Sequence, residues 1–285
     1  MGAVEIPGAL QLENGDDGLT RVLIDTPQAE AEIFLHGAHI TRWVPAGKRP
    51  VLFTSSRSLY APGKPIRGGV PLVFPWFGPR GGGLPGPMHG YARISEWTLH
   101  ATSMRDDGAV ELVFTLPRVD AFRLAYRVAV GARLEMELDV RNTSAEELCF
   151  EEAFHTYFAV GDIHQVSISG VEGTEYIDKA DGFQRKRHPA EPIRIDRYTD
   201  QVHVNTTGVC VIDDAAWARR IVIAKSGSAT TVVWNPWSDK TPGMPDMAPE
   251  DWREMVCVET ANAGENGIRL GPGASHIMRA TMKVE

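Results

Sequence analysis

The segment RLEMELDV, residues 133 to 140, alternates without a break. Leu134, Met136, Leu138 and Val140 fall on one side; Arg133, Glu135, Glu137 and Asp139 fall on the other. Successive side chains of a strand point to opposite faces, whereas a helix would scatter these four apolar residues around its axis. The stretch therefore reads as a half-buried strand. The preceding RLAYRVAV reads the same way, and Gly131-Ala132 between them suits a two-residue hairpin turn with Gly first. Strand-like runs recur near residues 20–25, 31–35, 39–44, 97–102, 110–116, 148–158, 209–213, 219–224, 229–235, 255–260 and 276–284. This spacing, with Gly, Pro and Asp between runs and little helical periodicity, predicts an all-β chain: a large antiparallel β-sandwich with few short helices. A length of 285 residues suits one such domain over 1–285, and a hydrophobic content of 43% supplies its core. No internal repeat or low-complexity tract is present.

Several classes are disfavoured. No apolar run approaches the roughly 20 residues of a spanning helix, so no membrane association is expected. The start, MGAVEIPGALQL, has no basic segment leading into an apolar one, so no secretory leader is expected. Its Met1-Gly2 pair lacks the Ser or Thr at position 6 that myristoylation favours. The three cysteines, Cys149, Cys210 and Cys257, are widely spaced in apolar runs. They read as buried reduced thiols of a cytoplasmic protein, and no Cys/His spacing suggests zinc. A monomer is expected.

The net charge of −8 is unevenly distributed. From Ile33 to Ser95 there is no Asp or Glu, while Arg42, Lys48, Arg49, Arg57, Lys64, Arg67, Arg80 and Arg93 give +8, leaving −16 for the rest. A stretch without carboxylates points to an anionic ligand nearby. Without a basic tail or helix, nucleic acid is a poor candidate, and a small anion gripped by a few cations fits better. Residues 61–90 and 235–252 are rich in Pro, Gly, Trp and Phe. Long irregular segments of this kind are usually functional, and both read as ordered loops at one rim of the sandwich.

Gly81-Gly82-Gly83-Leu84-Pro85-Gly86 matches GxGxxG, but Pro85 and Pro87 forbid the helix a dinucleotide site needs. His36 and His39 are three apart, so a strand would turn them to opposite faces and away from a shared metal. In IRGGVPLVFPWFG, Arg67 precedes two glycines that would let backbone approach a ligand. HGYAR adds His89 and Arg93. In FEEAFHTYF, alternation sets Glu151, Ala153, His155 and Tyr157 on one face, with Phe150, Glu152, Phe154, Thr156 and Phe158 on the other. A lone buried histidine there is more often structural than catalytic. MVCVETANAG ends an apolar run on Glu259.

Together these stretches resemble the aldose 1-epimerase (mutarotase) superfamily, most closely its hexose-6-phosphate mutarotase branch. LHGAHITRW, IRGGVPLVFPWFG, HGYARISEW, FHTYFAVGDI, YTDQVHVN, VVWNPW and MVCVETAN carry the resemblance in that order. It implies a galactose mutarotase-like sandwich that interconverts the anomers of a sugar phosphate. His155 would be the general acid and Glu259 the general base. Arg67, His89, Arg93 and Asp200 would surround the substrate, and Arg57 and Lys64 are candidate phosphate partners. His203 departs from the tyrosine expected in YTDQVHVN. The reaction moves one proton from O1 and one to the ring oxygen, opens the C1–O5 bond and recloses it on the other carbonyl face, so it calls for no cofactor and no metal. Trp76, Trp234 and Trp237 are candidates to pack on the sugar. Partial burial should raise Glu259 while hydrogen bonding keeps His155 protonated often enough to donate, giving a bell-shaped pH–rate profile; a flat profile across neutral pH would count against the pair.

Three other readings compete. One is a mutarotase of unphosphorylated aldoses. Another is a non-catalytic carbohydrate-binding sandwich, which would not need both His155 and Glu259. The last is a glycoside hydrolase drawing two carboxylates from Asp246, Glu250, Asp251, Glu254 and Glu259.

Overall fold

Residues 133 to 140 lie in the strand Leu134–Asn142, where Leu134, Met136, Leu138 and Val140 are at most 2% exposed. Burying each such side chain is worth about 1.5–3 kcal/mol, and this row fixes which face of the strand turns inward. The computed structural model describes residues 5–15 and 18–285; the Met1-Gly2 start lies outside them. Val130 pairs with Leu134, so the hairpin connection is three residues, one longer than expected. Gln28 accounts for the difference, because its Oε1 accepts a hydrogen bond from the Ala132 amide at 3.1 Å and holds the longer turn.

Two eight-stranded antiparallel sheets dominate. The back sheet runs in the order Val166–Ser169, Cys210–Asp214, Arg219–Ser226, Ser275–Val284, Leu134–Asn142, Phe122–Val130, Val110–Val119 and Thr98–Met104. The cleft sheet runs Gln184–Arg187, Glu175–Asp178, Thr199–Val204, Thr230–Asn235, Met255–Asn262, Glu152–Phe154 and Leu72–Val73, with Tyr157–Ala159 also paired to Met255–Asn262. A four-stranded sheet (Leu10–Asn14, Thr20–Asp25, Ala29–Phe34, His39–Pro45) and a two-stranded one (Leu148–Phe150 with Ile268–Leu270) complete the fold. Helix is confined to Trp237–Lys240 and single 3-10 turns. No helix of the described residues is long and apolar enough to cross a membrane.

The run 148–158 is three short strands, not one. Between Glu152–Phe154 and Tyr157–Ala159 the chain leaves its ladder: the His155 amide donates to Pro71 O at 3.0 Å and the Tyr157 amide to Gly69 O at 2.9 Å. A break of this kind re-aims a side chain. The two faces nonetheless sort as the alternation implies. Phe150, Phe154 and Phe158 enter the main core, where Phe74, Phe122 and Phe150 pack with ring centroids 5.2–5.4 Å apart. Ala153 and Tyr157 face the opposite side of the sheet.

Gly68 and Gly69 serve the backbone rather than a ligand. A Cβ on Gly69 would stand 2.1 Å from Ile40 O, and one on Gly68 2.4 Å from Phe53 O. Only glycine allows these segments to touch, and both residues have positive φ. Cys210 and Cys257 are buried, but Cys149 is exposed, because the two-stranded sheet turns it outward while Phe150 takes the core position.

Candidate active site

Cross-strand register builds the site. Asp200 pairs with Trp234, Trp234 with Cys257, and Cys257 with Tyr157; two residues along, Val202 pairs with Val232 and Val232 with Glu259. Directly opposed residues share a face, so these two rows pave the outer side of the cleft sheet. His155, released by the strand break, comes to lie beside the second row. Its Nε2 is 3.4 Å from Glu259 Oε1. The rows form the floor of a cavity of about 540 Å³ lined by Arg67, Phe77, His89, His155, Tyr157, Lys179, Phe183, Tyr198, Asp200, Val232, Trp234 and Glu259, among others. That volume suits a small polar molecule with one apolar face.

Burial sets the protonation of the pair. It pushes the Glu259 carboxyl well above the usual carboxylate range, reinforced by the nearby Asp200. It lowers His155 to about 3, with Arg93 and Arg67 opposing a further positive charge. Burial thus favours a neutral imidazole and a protonated carboxyl, against the expectation that hydrogen bonding keeps His155 protonated often enough to donate. The reason is that desolvation, with the charges of Arg93, Arg67 and Lys179, outweighs the one backbone hydrogen bond that favours the charged ring. His155 Nδ1 and Glu259 Oε2 are buried without a hydrogen-bond partner.

Other side chains are fixed around the pair. His155 stacks on Tyr157 (centroids 5.0 Å, planes 12° apart) and meets His89 edge-on at 5.3 Å. His89 Nδ1 accepts the Gly78 amide at 3.2 Å, which leaves the ring proton on Nε2. Arg67 donates through Nη1 to the Tyr157 hydroxyl at 2.9 Å and through Nε to Asp246 at 3.1 Å, tying segment 61–90 to segment 235–252. Asp200 accepts from the Tyr198 hydroxyl at 3.3 Å, and burial raises its carboxyl. Lys179 sits over the Phe77 ring at 4.6 Å. Among the described residues it makes no ion pair.

Residues 20–283 match the profile of the aldose 1-epimerase family. The chain belongs to the aldose 1-epimerase family. It is 37% identical over 258 residues, 87% of this chain and 85% of the relative, to an Escherichia coli K12 protein named "Putative glucose-6-phosphate 1-epimerase". A Cenchrus ciliaris protein of the same name is 31% identical, with 85% and 78% covered. The crystal structure of a "putative mutarotase (YeaD)" from Salmonella typhimurium superposes with a TM-score of 0.89 at 33% identity, over 99% of this chain and 95% of that one. The epimerase is therefore an isomerase that interconverts the anomers of a sugar, on an antiparallel sandwich of the galactose mutarotase type.

The structure of this epimerase brings six of the eight residues singled out from sequence near one another. His155, Glu259, Arg67, His89 and Asp200 line the cavity. Arg93 stands behind them; its Nη2 donates to Met88 O at 2.6 Å and its charge acts on His89 and His155. Arg57 and Lys64 are exposed and do not line the cavity. Of the three tryptophans considered, only Trp234 lines it: Trp76 donates to Pro87 O, and Trp237 packs on Trp252. His203 is buried away from the cleft, stacked on Tyr176 at 5.0 Å. Of the five carboxylates weighed for a hydrolase, Glu259 alone lines the cavity; Asp246 is bound to Arg67 and Glu250 to Arg253. Lys179, Phe183, Phe77, Tyr157 and Tyr198 were not singled out. Lys179 and Phe183 lie in the connection between Glu175–Asp178 and Gln184–Arg187, two polar strands that gave no apolar alternation to read.

Proposed function

We propose that the substrate is a hexose 6-phosphate, glucose 6-phosphate first among them, and that His155 and Glu259 are its acid and base. One observation carries this reading: a buried imidazole and carboxyl 3.4 Å apart share a cavity with two cations, Arg67 and Lys179. The relatives named for glucose-6-phosphate 1-epimerase agree with it.

The sugar lies over Trp234 with its hydroxyls toward Asp200 and the His89 Nε2–H. The resting pair holds one proton, on Glu259. Moving it to His155 gives the working form, in which Glu259 takes the O1 proton while His155 protonates the ring oxygen. The C1–O5 bond breaks, C1 rotates, and the reverse transfers close the ring on the other face. A phosphate dianion on Lys179 and Arg67 offsets two of the charges that hold His155 down, so the anion assists charging of the acid as well as binding. Arg57 and Lys64, outside the cavity lining, are replaced in this scheme by Lys179.

The pair works while it keeps a single proton. A second proton adds to His155, whose value is lowered to about 3, and the last one leaves Glu259, whose value is raised. The rate therefore falls as pH drops toward 3, where His155 takes the second proton, and falls on the alkaline side as Glu259 loses the last one. The profile keeps its bell shape, with the acid limb well below neutrality. Exchange NMR of α-glucose 6-phosphate, with glucose and galactose alongside, tests the proposal. Acceleration confined to the phosphate supports it; equal acceleration of free sugars removes the phosphate site; an acid limb near pH 6.5 removes the neutral pair.

A further inference from the structure

Cys257 and Glu259 are two apart on Met255–Asn262 and so point to the same side of the cleft sheet. His155 reaches them from the strand break. One nitrogen of His155, Sγ of Cys257 and one carboxylate oxygen of Glu259 all lie within 4.8 Å of one another. An ion at their centre would be no more than about 2.8 Å from each, up to about 0.5–0.8 Å beyond zinc–ligand lengths of about 2.0–2.3 Å. Small side-chain rotations close that gap. Two of the three donors carry a buried atom with no partner, His155 Nδ1 and Glu259 Oε2. His155 and Glu259 line the cavity, which offers room for a fourth ligand; Cys257 does not line it and is paired across the sheet with Tyr157 and Trp234.

A thiolate, an imidazole and a carboxylate around an open corner suit Zn²⁺, Co²⁺ or Cd²⁺ and do not suit Mg²⁺ or Ca²⁺, which prefer all-oxygen sites. The seat uses both members of the acid–base pair, so an ion there and a reacting sugar exclude each other. We propose that His155, Cys257 and Glu259 form an inhibitory site for a borderline-soft divalent cation, Zn²⁺ above all, which switches the epimerase off reversibly. The inhibition rests on the acid–base role proposed above; the binding site does not.

Co²⁺ is the probe, because a thiolate ligand gives it a near-ultraviolet charge-transfer band. Exposed Cys149 is first removed by Cys149→Ser. In that background Co²⁺ should bind one to one with the band, Zn²⁺ should displace it, and Cys257→Ala should abolish it. Zn²⁺ should inhibit anomer exchange, chelator should restore it, and Cys257→Ala should weaken the inhibition by at least about tenfold. Should Cys257→Ala not fold, Cys257→Ser replaces it. Glu259→Gln gives a separate arm read by spectrum alone, in which the band persists with weaker Co²⁺ affinity. No thiolate band, or a band indifferent to Cys257, overturns the site whatever the enzyme's activity. A Cys257-dependent band without loss of exchange keeps the site but overturns its inhibitory role.

Discussion

The two large sheets are built from the same kind of strand and differ in what covers them. The back sheet buries one face against the core and leaves the other to ion pairs such as Arg127–Glu137–Arg279 and Arg105–Glu135. Its strands are long, and most neighbours are consecutive in sequence. The cleft sheet buries both faces at its centre, though its edge strand Gln184–Arg187 is exposed. All eight residues of Met255–Asn262 are buried, and its outer side carries His155, Glu259 and Asp200. Its strands are short pieces drawn from distant parts of the chain. A sheet with one wet face has nowhere to hold a desolvated acid and base. A sheet walled on both sides shifts their proton affinities by burial alone, and that difference sets the chemistry apart from the scaffold.

This contrast makes graded predictions. His155→Ala and Glu259→Gln strike the cleft floor and should each cut anomer exchange about 10²–10⁴-fold, measured by exchange NMR, while the fold stays intact by circular dichroism. Leu138→Ala strikes the back sheet, where the side chain is fully buried. It should cost about 2–5 kcal/mol in urea unfolding and leave the turnover of folded protein unchanged. A Leu138 variant with slow turnover would mean that the two sheets are not separable in function. Lys179→Met should raise KM for glucose 6-phosphate about tenfold, the loss of one charge-assisted contact, and leave any turnover of free glucose nearly untouched. Arg57→Ala and Lys64→Ala, run alongside, should change neither. Arg127→Ala, on the wet face, should shift stability by less than about 1 kcal/mol, because its ion pair is solvent-screened.

The same contrast explains what the sequence disclosed. Strands with one wet face alternate visibly, so 123–130 and 134–140 could be read directly. Met255–Asn262, buried on both faces, shows only an apolar run, and the role of Glu259 emerged from motif order rather than periodicity. Glu175–Asp178 and Gln184–Arg187 are short and rich in charge, joined by pairs such as Lys186–Asp178 and Arg185–Glu175, and show no alternation, so neither the strands nor Lys179 between them were legible. The acid-free stretch from Ile33 to Ser95 misled in a different way. Its charges disperse in space: Arg42 meets Glu30, Arg67 meets Asp246, Arg49 lies over Trp217 and Arg80 over Trp76. Of its eight cations only Arg67 lines the cavity. A run of one sign along the chain is not a patch of that sign on the surface.

Phe183 stands at the mouth of the cavity, 68% exposed and with a φ of 61°, and Met88 lies on the same lining at 50%. Both hold apolar surface in water beside a lining that already includes Trp234, Val232 and Phe77. A ligand seated between them would free the water ordered over that surface. Its capture would then carry a negative heat-capacity change that a purely charge-driven grip lacks, and the balance between the two contributions would drift with temperature. An anionic sugar would thus be held partly by the solvent it displaces from the protein's own rim.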